Sequence, residues 1–126
     1  MNRLFVLGLV ALVGCDTAGQ LGFKFTADVT GPARLDLGWL ASVLVTPSFF
    51  VSVAAYIGAF FIYMTLLRHA AIGPLFAASH LELVTVTAIS ATYFGERFNT
   101  VQALGCTMIV LGIAALALTE SAEAQP

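Results

Sequence analysis

The sequence predicts an all-α membrane protein, a bundle of four transmembrane helices. Three observations carry that expectation. The 126-residue chain is 60% hydrophobic, with a mean hydropathy of +0.97. Only 10% of it is Asp, Glu, Lys or Arg, against about 25% in a soluble domain that must cover its own surface. Four apolar runs of about 20 residues, the length that crosses a bilayer, fill nearly the whole chain. Lipid is therefore the expected solvent, and no length remains for a soluble catalytic domain. A net charge of −2 favours no nucleic-acid partner.

The first apolar run covers residues 4–25. Its "LVGC", ending at Cys15, has the form of a lipobox, and the short n-region before apolar 4–13 has the form of a signal peptide. The chain nevertheless continues as "TAGQLGFKF" with its small and polar faces in helical register. The expectation is one unprocessed helix in which Cys15 is a small packing residue. Next comes "TADVTGPARLD", which reads as a loop because of Gly31-Pro32 and its mixed charges. Residues 37–46 are apolar but too short to span, and with Trp39 near one end they fit an interfacial segment.

The second span covers 47–67, with Pro47 in a first turn where its missing N–H is not needed. Arg68 and His69 close it. The third span is expected as one helix over 72–94, followed by the tight polar turn "GERFN". The fourth covers 99–118: Asn99 is placed to cap the helix and Gln102 sits three residues on, the spacing of a capping box. The tail "TESAEAQP" is polar and expected to fray. Four spans put both termini on one side. That side carries Arg3 and Arg68, the other Lys24, Arg34 and Arg97. Orientation follows the Lys/Arg bias, which is slight here, so both a single orientation and dual insertion as an antiparallel dimer stay open.

The chemistry rests on polar residues inside these spans. Asp16 falls near the middle of the first, where a carboxylate costs about 2.5–3.5 kcal/mol even on the gentler insertion scale. Low dielectric disfavours its charged form, which suits a group that takes and releases a proton. Asp16, Gln20 and Lys24 are spaced by four and share a helix face. Beside them Gly8, Ala11, Cys15, Gly19 and Gly22 form a small-residue stripe fit for close helix packing. Lys24, near a helix end, is expected to snorkel to the headgroups.

The third span carries "ASHLELVT", with His80 and Glu82 near its middle. Ser79, Glu82 and Thr85 share one face, and His80 goes with Leu83, Val84 and Thr87. Glu82 is therefore expected to point into the bundle, and His80 toward another helix or a partner chain. A mid-membrane glutamate is a functional candidate by default, whereas a lone histidine on an apolar helix is more often a packing residue. Asp16, Glu82 and His80 are metal ligands in type but not in spacing. There is no HExxH, nucleophile elbow, phosphate loop or CxxC, and Cys15 and Cys106 both lie in apolar runs. No enzyme activity, cofactor or metal is expected.

Three stretches carry a family resemblance. "AGQLGFK" at 18–24 is similar to the first helix of the small aminoarabinose-lipid flippase subunits. "YFGERF" at 93–98 stands where such proteins turn into their fourth helix. "GCTMIVLGI" at 105–113 is similar to the Gly-x6-Gly helix of the small multidrug resistance proteins, with Gly105 and Gly112 as its glycines. The chain thus resembles a four-helix member of the drug/metabolite transporter superfamily over nearly its whole length. Asp16 stands eight residues before Lys24, as the intramembrane glutamate of the multidrug proteins stands before its lysine. The resemblance implies a transporter of a bacterial inner membrane. It implies a homodimer, or a heterodimer with a similar four-helix protein, that meets through Gly105 and Gly112. Asp16, with Glu82, Gln20 and His80, would line a cavity where a proton and a cationic or amphipathic substrate compete. A flippase for a lipid-linked sugar and a non-transporting membrane subunit of a larger complex are the other readings.

Overall fold

A computed structural model describes residues 3–123, all of whose regular structure is helical. Four segments are long and apolar enough to cross a membrane: Arg3–Thr30, Pro47–Leu67, Ile72–Tyr93 and Thr100–Thr119. The chain is therefore an all-α protein of four candidate spans.

The first helix, α1 (Arg3–Thr30), runs unbroken through Cys15 and five residues beyond the expected end at Phe25. The polar stretch after Phe25 satisfies itself along the helix. Thr26 Oγ1 donates to Gly22 O at 2.9 Å and Thr30 Oγ1 to Thr26 O at 2.8 Å. Lys24 lies 3.4 Å from Asp28, one turn on, a spacing that favours the helix. The helix ends where Gly31 takes φ +73°, a left-handed conformation that glycine adopts without strain, with its N–H on Ala27 O. Pro32 then prevents continuation.

The short α2 (Leu37–Val45) begins at Asp36, whose side chain accepts from the Trp39 backbone N–H at 2.6 Å. Thr46 ends it in extended geometry, and Pro47 opens α3 (Pro47–Leu67) at its first turn.

The third span is not one helix. It is α4 (Ile72–Ser79) followed by α5 (Leu81–Tyr93), with His80 between them at φ −70°, ψ 0°. Two side chains compete there for the carbonyl that His80's own N–H would need. His80 Nδ1–H donates to Phe76 O at 2.7 Å and Ser79 Oγ donates to it at 2.8 Å. The His80 backbone N–H turns to Ala77 O and Ala78 O instead. Side-chain capture of a backbone acceptor is a known way to interrupt the ladder.

The last helix, α6 (Thr100–Glu123), starts from a reciprocal capping box. The Asn99 backbone N–H donates to Gln102 Oε1 at 3.0 Å, and the Gln102 N–H to Asn99 Oδ1 at 2.9 Å. The helix passes the expected end at Leu118 and reaches Glu123, because Ala and Glu in the tail are good helix formers. Met1, Asn2 and the last three residues of the tail lie outside the described residues.

The core forms mainly where α1 lies along α3. Leu12, Ala59, Leu66 and Leu75 are buried, with Phe5, Leu9, Cys15 and Ile62 packed around them. The glycine stripe of α1 is what permits the approach. A Cβ on Gly19 would sit 2.7 Å from the Tyr56 ring, and one on Gly22 would overlap Ser52 Oγ and lie 3.0 Å from Ser48 O. Polar seams reinforce this contact: Thr26 Oγ1 and Ser48 Oγ are 2.7 Å apart, and Ser52 is fully buried beneath them. By contrast, α6 touches only α4 and α5 among the described residues, and no residue of its span is buried.

Candidate functional site

The candidate site lies where α1, α3 and the broken third span meet. Its anchor is a hydrogen bond between the hydroxyls of Thr17 on α1 and Thr85 on α5, 2.6 Å apart. Thr17 is buried, and Thr85 also donates to Glu82 O at 2.9 Å. Two carboxylates neighbour this tie along the chain. Asp16 precedes Thr17 in sequence, and Glu82 lies one turn before Thr85, so both stand beside the α1–α5 contact.

Asp16, Glu82 and His80 are within electrostatic reach of one another. Tyr56, on α3, lies beside the Gln20 side chain and within electrostatic reach of both carboxylates. Neither Asp16 nor Glu82 has a cation within salt-bridge distance among the described residues. Two carboxylates therefore share a partly shielded site without a fixed counter-ion. Among the described residues no group of three His, Cys, Asp or Glu side chains is placed to hold a metal ion.

His80 contributes from the break in the third span. Its ring stands edge-on to Phe76, centroids 4.5 Å apart. A carbonyl only accepts, so the contact with Phe76 O puts a proton on Nδ1. The ring is thus tied to the preceding turn of the third span.

Tyr56 is the member of the site that hydropathy does not reveal. It is one polar tip in the apolar run of α3, and only the Gly19 approach brings it over α1. The same ring faces an apolar groove of about 490 Å³ lined by Phe23, Val53, Tyr56, Ile57, Phe60 and Phe61. Phe23 stacks on it, with centroids 5.7 Å apart and planes at 26°. Tyr56 therefore joins the polar cluster to a greasy groove on the outer face of α1 and α3.

Nearer the end of α1, Lys24 makes two ion pairs. Its Nζ lies 3.3 Å from Glu96 Oε1 and 3.4 Å from Asp28 Oδ1, with the Phe94 ring centroid 5.9 Å away. Phe25 packs on Phe94 at 5.0 Å beside it, so this end of α1 is held to the turn before α6. Its two ion pairs are with Asp28 and Glu96, not with Asp16.

Gly105 and Gly112 on α6 have open space where a side chain would begin. A Cβ at either position would meet nothing within 4 Å.

The class this architecture defines is a small multi-pass membrane protein with a carboxylate-bearing polar cluster among its helices. No family model, curated protein or solved structure matches the chain.

Proposed function

We propose that the protein is a proton-coupled transporter of the bacterial inner membrane, a four-helix relative of the drug/metabolite transporters. It exports a cationic or amphipathic small molecule by alternating access. One observation carries the reading: two intramembrane carboxylates, Asp16 and Glu82, stand together without a fixed counter-ion. Such groups are costly in lipid and mark ion or substrate pathways. Proton and substrate compete for them; protonation from one side releases the substrate, and substrate from the other side displaces the protons. Gln20, Tyr56 and His80 orient the site.

The bare outer face of α6 supports assembly with a second copy or with a similar four-helix protein. Gly105 and Gly112, seven apart on nearly one face, would allow the close approach that membrane helices use. The apolar groove beside Tyr56 favours a second reading, a flippase for a lipid-linked sugar, because it offers a place for a chain beside the polar cluster.

The test is uptake of a cationic dye into proteoliposomes under an imposed pH gradient. Wild type should accumulate the dye, Asp16→Asn should not, and Asp16→Glu should keep part of the activity. Full transport by a correctly folded Asp16→Asn variant would rule the mechanism out. Dye-independent movement of a lipid-linked sugar by the same liposomes would favour the flippase.

A further inference from the structure

A second polar site lies at the edge of the bundle, away from the carboxylates. The end of α1, the 31–36 link and the first turns of α2 border an open cleft of about 400 Å³ whose lining includes Thr30, Arg34, Asp36, Trp39 and Ser42. Thr30 ends a candidate span, and α2, with nine residues, is too short to cross a bilayer. The cleft therefore belongs at headgroup level, where tryptophan is enriched.

Its electrostatics are mixed in a specific way. Arg34 has no ion pair among the described residues, and it is not paired with Asp36. Asp36 gives one oxygen to the Trp39 backbone N–H and has no cation beside it. Trp39 Nε1 is shut off from water and has no hydrogen-bond partner. The nearby hydroxyls do not supply one, since Ser42 Oγ donates to Trp39 O and Thr30 Oγ1 to Thr26 O.

We propose that this cleft binds a zwitterionic amino-phosphate, the headgroup chemistry of an ethanolamine phospholipid, with Arg34 on the phosphate and Asp36 on the ammonium. A guanidinium fork matches phosphate oxygens. A purely anionic lipid meets Asp36 with like charge, whereas a zwitterion satisfies both side chains. The site is independent of transport, since none of its residues belongs to the Asp16–Glu82 cluster.

Trp39 is the chain's single tryptophan, so its fluorescence reports this site alone. The full chain in maltoside micelles would be titrated with an ethanolamine phospholipid, a glycerol phospholipid and water-soluble phosphoethanolamine, with circular dichroism as the folding control. The ethanolamine lipid should give a saturable change at lower concentration than the glycerol lipid. Arg34→Gln should raise the midpoint about tenfold, the effect of losing one charge-assisted contact. Asp36→Asn retains a good helix cap but removes the charge, and should abolish the preference between the two lipids. Saturation by phosphoethanolamine alone, with the same response to both variants, would support the chemistry and assign it to a soluble ligand. Equal midpoints for both lipids, unmoved by either variant, would overturn the proposal.

Discussion

Gly22→Ala probes the contact on which the fold depends most, the approach of α1 to α3. The added methyl would overlap Ser52 Oγ and sit 3.0 Å from Ser48 O. Ser52 is fully buried and its hydroxyl donates to Ser48 O at 3.1 Å, so it has little room to yield. Overpacking of this kind costs about 1–3 kcal/mol, while replacing glycine by alanine inside a helix returns about 0.5–1 kcal/mol. The net expectation is destabilisation by about 1 kcal/mol, roughly a fivefold fall in the ratio of folded to unfolded protein. Gly14→Ala is the matched control, because a Cβ there meets nothing within 4 Å. It should stabilise by the propensity gain alone. Both are measured by equilibrium unfolding in mixed micelles with increasing dodecyl sulfate. Ser52→Ala should rescue much of the Gly22→Ala loss, since it removes the overlapping oxygen. If Gly22→Ala were as stabilising as Gly14→Ala, the close α1–α3 packing described above would be wrong.

Three further expectations follow from single contacts. Removing the Thr17–Thr85 hydrogen bond by Thr17→Val and Thr85→Val, alone and together, should show a coupling of about 0.6 kcal/mol, the average for interhelical bonds in membranes, read by a double-mutant cycle on unfolding. Asn99→Ala removes the acceptor of the Gln102 N–H, one half of the capping box that starts α6, and should cost about 1 kcal/mol in the same assay, while Gln102→Ala removes the other half, the acceptor of the Asn99 backbone N–H, and should add a further loss. Gly112→Leu leaves the packing within the chain untouched, since open space surrounds the position. It should therefore weaken self-association, seen by crosslinking in bilayers, without lowering monomer stability.

Hydropathy made the helical class legible, and local signals located particular ends: Pro47 at the start of α3 and the Asn99–Gln102 pair at the start of α6. Both are short-range chemistry, written within four residues. The misread boundaries are also chemical. Residues 26–30 look like a loop by composition, yet their threonines and the Lys24–Asp28 pair satisfy a helix from within. The break at His80 comes from a side chain taking the Phe76 carbonyl, a choice of rotamer that no periodicity records. For the candidate site, the cost of a carboxylate in lipid singled out Asp16 and Glu82 without any contact being known. Tyr56 and the Thr17–Thr85 tie were beyond reach. They depend on glycine-mediated approach and on helix rotation, which are set by tertiary packing.

The proposed competition of protons and substrate for the two carboxylates is tested most directly by proton release. Purified protein in weakly buffered micelles is mixed with a lipophilic cation while pH and binding are followed together. Wild type should release protons as the cation binds. Asp16→Asn and Glu82→Gln should each release fewer and bind more weakly, with Asp16→Glu restoring release and so separating a lost charge from a lost fold. Cation binding with unchanged affinity and unchanged proton release in both folded neutral variants would contradict the exchange mechanism.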